Sequence, residues 1–176
     1  MKKKSKIVFF VIASCMLLSG CKNYVNDGVE ALQSGDYEQA RELFETAVEK
    51  GKNPGEAYKG LGTCYFESAD YENALKDFER SIGEGGEADA ALYNMMGISS
   101  LKTENFKKAV QYFEAGLEAE DMSDELKKEM SFNRIIAYEG AKDYAKAEKS
   151  LDQYLKSYPD DEKALKEKEF FATQIK

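Results

Sequence analysis

The chain has 176 residues, 33 of them acidic and 25 basic, for a formal net charge of −8, and it lacks histidine and tryptophan altogether. That length suits a single domain, and the acidic balance disfavours nucleic acid as a partner. Without histidine, Ser-His-Asp and Cys-His catalysis and the HExxH zinc site are excluded. Three cysteines are too few for a Cys-rich metal site once the N-terminal two are accounted for below.

The first element is an N-terminal export segment. Lys2, Lys3, Lys4 and Lys6 precede an apolar run from Ile7 to Leu18, which ends in Leu18-Ser19-Gly20-Cys21. The run of about 12 residues is shorter than the roughly 20 a spanning helix needs, and small residues stand before the cut. The segment resembles the signal peptide and lipobox of bacterial lipoproteins. The resemblance implies removal of residues 1–20 and a diacylglyceryl thioether on Cys21, with acyl chains of the palmitate kind. Two acyl chains anchor stably where one does not. The expected location is the outer side of the bacterial cell membrane, held there by lipid. The remaining chain would carry 21 basic and 33 acidic residues, a net charge of −12, so electrostatics would not draw its body onto an anionic bilayer. Cys15 leaves with the signal and Cys21 is lipidated, so Cys64 has no partner for a disulfide and is expected to be buried.

Helices are expected near 23–34, 37–50, 55–68, 71–82, 88–102, 106–119, 124–141, 144–157 and 161–174. They come in similar pairs. Gly28, Gly62 and Gly97 each precede an alanine by 12 residues, Ala40, Ala74 and Ala109, and Ala147 continues the series at spacings of 34, 35 and 38. Three residues before each alanine stands an aromatic: Tyr37, Tyr71, Phe106 and Tyr144. A capping residue precedes each of these: Asp36, Asp70, Asn105 and Asp143. Four residues after each alanine comes Phe44, Phe78, Phe113 or Leu151. Asp and Asn satisfy free amides at a helix start, worth about 1 kcal/mol each. The aromatic is expected to pack back on the preceding helix. Glycine and alanine should mark the close approach of two antiparallel helices, and the large apolar residue should fill the space between neighbouring pairs. Asn53-Pro54-Gly55-Glu56 reads as a cap, a proline at the first helical position and a capping-box glutamate. Ser123-Asp124-Glu125 starts the fourth pair.

This periodicity resembles the tetratricopeptide repeat (TPR) family over residues 22 to about 159. The second repeat fits the family pattern best, through Tyr58, Leu61, Gly62, Tyr65, Ala74 and Phe78. Asp27, Ala31, Ser81, Ser100 and Gly116 depart from the pattern. In the fourth repeat Ser131, Arg134, Ile135 and Tyr154 depart, so its helices are expected either to pack more loosely or to sit one residue out of register. The implied fold is all-α, an α-solenoid of about four helix-turn-helix pairs with a C-terminal capping helix, preceded by the signal peptide. The expected bounds are 1–20 for the signal and 21–159 for the solenoid, with repeats near 21–54, 55–89, 90–127 and 128–160. The cap would span 160–176, with Ala164, Leu165, Phe171 and Ile175 on roughly one face.

The resemblance further implies a concave groove lined by Lys59, Thr63, Phe66, Asn94, Ile98, Leu101, Phe132, Asn133 and Ile136. That mixture suits an extended peptide or an amphipathic helix of a protein partner. The alternative is that these apolar groups pack neighbouring helices. Val25, Val29, Met95 and Glu129 break the two-carboxylate clamp of chaperone-binding members. No carboxylate pair stands out for glycoside hydrolysis, and Glu42, Glu45 and Glu49 read as a solvated face, so no catalysis and no cofactor beyond the lipid is expected. The function implied is a membrane-anchored protein–protein adaptor. The alternative is a structural subunit of an envelope assembly or secretion machine.

Overall fold

The computed structural model describes residues 23–119 and 122–174. Its helices are α1 Tyr24–Gln33, α2 Tyr37–Glu49, α3 Pro54–Glu67, α4 Tyr71–Gly83, α5 Ala90–Lys102, α6 Phe106–Leu117, α7 Asp124–Gly140, α8 Tyr144–Ser157 and α9 Glu162–Gln174. Each expected helix is present, displaced by two residues at most. None among the described residues is long and apolar enough to cross a membrane. The export segment, Cys21, the insertion at Asp121 and Ile175 lie outside the described residues.

The turns within pairs explain the repeat. After α1 the Gly35 amide donates to Leu32 O and the Asp36 amide to Ala31 O. The same two bonds recur at Ala69 and Asp70, at Glu104 and Asn105, and at Lys142 and Asp143. This is the Schellman closure, in which the last free carbonyls of one helix are satisfied by the next two amides. The second of those residues then opens the following helix. Asp36, Asp70 and Asp143 accept bonds from the amides of Gln39, Asn73 and Lys146 at 3.1, 3.3 and 3.4 Å. Asn105 occupies the same place but makes no such side-chain bond. Asn53 makes none either; its φ of 47° places it in the left-handed region, and Pro54 alone starts α3 as expected.

Packing within the first three pairs rests on a phenylalanine against a glycine. Phe44, Phe78 and Phe113 are wholly buried. A Cβ on Gly28, Gly62 or Gly97 would lie 2.8, 2.5 or 2.4 Å from these rings. The glycine therefore faces the ring rather than the alanine, although Ala74 O also comes within 3.1 Å of that point above Gly62. Phe44 also presses on Gly60 of the next pair, so the ring does fill the space between pairs. In the fourth pair Ile135 and Leu151 replace glycine and phenylalanine. Both are buried in one cluster with Ala147, so the register holds, although packing there is the sparsest of the four pairs. The aromatic after the cap has no single fate. Tyr71 meets Phe66 of α3 edge-on at 5.7 Å, Phe106 packs on Gly140 of α7, and Tyr37 and Tyr144 are exposed.

The core is a string of four clusters rather than one centre. They join α1–α3, then α4 and α5, then α5–α7, then α7–α9. Cys64 is buried in the first, and burial pushes its thiol up to about 11. The cap α9 contributes Ala164 and Phe171, while Leu165 is 43 % exposed and does not share their face as expected. Two residues seven apart suffice because they fall on the same side two turns apart.

Candidate interaction groove

The odd-numbered helices touch one another directly, α1 with α3, α3 with α5 and α5 with α7. They form the inner wall. The even helices flank it, and long side chains span them, Lys108 and Tyr112 of α6 both reaching Glu79 of α4 at 2.6 and 2.7 Å. Burial pushes the Glu79 carboxyl up, but these two donors outweigh it and hold the group below its usual range.

All nine expected groove residues lie on α3, α5 and α7, three on each. Eight are half-buried and Asn94 is buried. They do not form one open trough. Phe66 packs against the cluster around Phe78, Ile98 and Leu101 against that around Phe113, and Phe132 against that around Tyr154. These four thus divide their surface between neighbouring helices and solvent. The Thr63 hydroxyl donates to Lys59 O at 2.8 Å.

Polar bonds tie α3 to α5, α5 to α7 and α7 to the start of α9. Lys59 of α3 donates to Asp89, the N-cap of α5, at 2.7 Å. Burial pushes Asp89 up, but the Lys59 ammonium and the Leu92 and Ala91 amides hold it below the usual carboxylate range. Asn94 of α5 donates to Glu129 of α7 at 3.1 Å. Lys128 of α7 pairs with Asp161, which opens α9, at 2.9 Å. The Lys128 ammonium holds the Asp161 carboxyl low against burial, helped by the Ala164 amide and the Tyr154 hydroxyl. Sequence reading assigned Lys59 and Asn94 to ligand binding alone and missed Asp89, Lys128 and Asp161. The available signal was an acidic residue just before α5 and just before α9, Asp89 and Asp161, where α1, α3 and α7 open on Asn23, Asn53 and Ser123.

Between α7, α8 and α9 this wall opens into a cavity of about 520 Å3, to which Phe132 and Asn133 contribute. Among the described residues no group of three or more acidic or cysteine side chains could hold a metal ion.

Repeated inner and outer helices, Schellman turns and glycine–phenylalanine contacts agree with a family-level match. The tetratricopeptide repeat family model fits residues 27–92 and 94–162. The chain belongs to the tetratricopeptide repeat family. Among curated TPR relatives, the photosystem I assembly protein Ycf3 of Parasynechococcus marenigrum is 31% identical over 75 residues, 41% of this chain and 43% of that one. Ycf3 of Synechococcus sp. (strain WH7803) is 29% identical over the same length. The chain thus spans less than half the length of these relatives. Among solved structures, MamA of Desulfovibrio magneticus RS-1 superposes with a TM-score of 0.69 at 20% identity, over 84% of this chain and 80% of that one. YrrB, described as a TPR protein with an unusual peptide-binding site, superposes at 0.55 with 23% identity, over 83% and 90%. At these identities the likeness is one of fold.

Proposed function

We propose that this TPR chain is a membrane-anchored adaptor that takes up a peptide or helix of a protein partner along α3, α5 and α7. The observation that carries the reading is the inner wall itself. It presents Phe66, Ile98, Leu101, Phe132 and Ile136 half-exposed in a row, interleaved with Thr63 and Asn133. A strip of apolar groups with a hydroxyl and an amide between them suits main-chain and side-chain recognition together. The peptide-binding site in the description of YrrB is consistent with that use of the fold.

The anchor in this reading is the lipid on Cys21, after removal of residues 1–20, with the domain facing away from the cytoplasm. Asn23 caps α1, accepting from the Asn26 amide at 3.2 Å, so the solenoid begins two residues after Cys21 in the sequence. Anchor and binding module then share one start, and partners are met close to the bilayer. The second reading, a structural subunit of an envelope assembly or secretion machine, draws on the word assembly in the name of Ycf3. It predicts stoichiometric co-purification with one membrane complex, where an adaptor shows several weaker partners.

Photo-crosslinkers at Phe66, Ile98 and Ile136 in living cells test the groove. Capture at these sites but not on the outer face is expected, and capture on the outer face alone would sink the reading. Labelled palmitate should enter the wild-type chain and not Cys21→Ser, which should appear entirely in the soluble fraction. Label or membrane retention independent of Cys21 would refute the anchor.

A further inference from the structure

The cavity at the C-terminal end of the inner wall has a chemistry of its own. Its volume of about 520 Å3 lies in the range of small-ligand cavities. Its apolar lining is Phe132 and Tyr154, whose rings are 5.6 Å apart. Four carboxylates and two amines line it. One amine is already committed, since Lys128 Nζ pairs with Asp161 at 2.9 Å and lies 5.3 Å from the centre of the Tyr158 ring. Asp161 is spent as well, accepting from the Tyr154 hydroxyl at 3.1 Å and from the Ala164 amide at 3.1 Å. That leaves Glu125, Glu129 and Glu162 against Lys163 alone, a net negative cavity with aromatic rings in it.

Glu129 is held in place. The Asn94 amide nitrogen, on a side chain only 8 % exposed, donates to it at 3.1 Å. The Asn94 Oδ1 is buried and accepts no bond. Asn94 itself does not line the cavity, so what it contributes there is the fixed position of the Glu129 carboxylate. With the whole chain at net −8, a cationic partner is also the one that long-range attraction brings in.

We infer that this cavity is a subsite for the arginine side chain of an extended segment bound along the inner wall. The inference rests on the groove reading proposed above. The planar guanidinium stacks on Phe132 while its N–H groups donate to Glu129 and Glu162. The partner is thus a protein with a basic residue in an otherwise apolar, extended stretch.

The test uses the full chain in detergent and three twelve-residue peptides of alanine, leucine and serine, with arginine, norleucine or glutamate at the centre. Binding is followed by NMR shifts of α3, α5 and α7. The arginine peptide is expected to bind roughly tenfold tighter than the norleucine peptide, to shift Phe132 and Asn133, and to weaken with salt. Glu129→Gln with Glu162→Gln should remove most of that advantage and leave the norleucine peptide and the thermal melt unchanged. Equal affinity of the arginine and norleucine peptides, or shifts confined to α3 and α5, would overturn the subsite while the groove reading stands. Shifts on none of the three inner helices would overturn both.

Discussion

Phe113 shows how much a single contact carries in this molecule. Its ring is fully buried, and the point where a Gly97 Cβ would stand is 2.4 Å from it. Real Cβ atoms do not come so near, and the ring sits in a close-packed interior that cannot retreat far. Gly97→Ala is therefore expected to destabilise the fold by about 1–3 kcal/mol, the usual cost of overpacking. Gly28→Ala should cost less, because its Cβ would lie 2.8 Å from the edge of Phe44. Urea midpoints of the two variants check the order, and a larger loss at Gly28 would contradict the packing described. These glycines were picked out by spacing alone. What they face was not, because the spacing aligned them with alanines and said nothing of how far a phenylalanine reaches across the pair.

The weak element is the turn between α5 and α6. Four equivalent turns place one residue in the left-handed region: Gly35 at φ 81°, Ala69 at 58°, Glu104 at 57° and Lys142 at 61°. Only the first is glycine, and other L residues pay about 1–2 kcal/mol for this conformation. At Glu104 the strain coincides with an Asn105 that makes no side-chain cap bond. Glu104→Gly is expected to gain roughly 0.5–1 kcal/mol, the relief being offset in part by the greater freedom of glycine in the unfolded chain. A melting temperature that falls in this variant would refute the strain argument. Sequence reading found the caps because Asp and Asn recur visibly at the same place. It overlooked the residue before them, since Gly, Ala, Glu and Lys share no chemistry and only the backbone reveals their common role.

As a whole the molecule is quasi-linear, so its stability is a chain of neighbouring contacts and its ends open first. The C-terminal end is held by Ala164 and Phe171 and by Lys168 with Asp152 at 3.0 Å. Burial and the adjacent Glu167 push Glu139 up to about 7 from an ordinary 4.5. Because the folded value is the higher one, the stability it contributes is full below about 4.5 and is lost as pH rises through about 7. Asp89, Glu79 and Asp161, whose values are lowered, act in the opposite sense at lower pH, so the window from about 5 to 7.5 isolates Glu139. The melting temperature is expected to fall across that window, with hydrogen-exchange protection of α8 and α9 falling first. Glu139→Gln should flatten both trends, and an unchanged slope in that variant would refute the assignment to Glu139.

The order and pairing of the helices could be read from the chain before any packing was known. Helical period, caps and small residues are local signals, and local physics suffices to place a helix to within a residue or two. The helices expected to carry the groove came from the TPR resemblance rather than from spacing. What the faces of those helices do depends on how the helices pack. Lys59 and Asn94 spend their polar groups on the neighbouring inner helix, and Leu165 turns to solvent while Ala164 and Phe171 turn inward. The acidic, aromatic cavity exists only because α9, packed on α8, brings Asp161 and Glu162 to Glu129 and Phe132 across more than 25 residues of sequence. No periodic pattern encodes that meeting, because it depends on the rotation between successive pairs, which is set by the fit of whole faces rather than by any one residue.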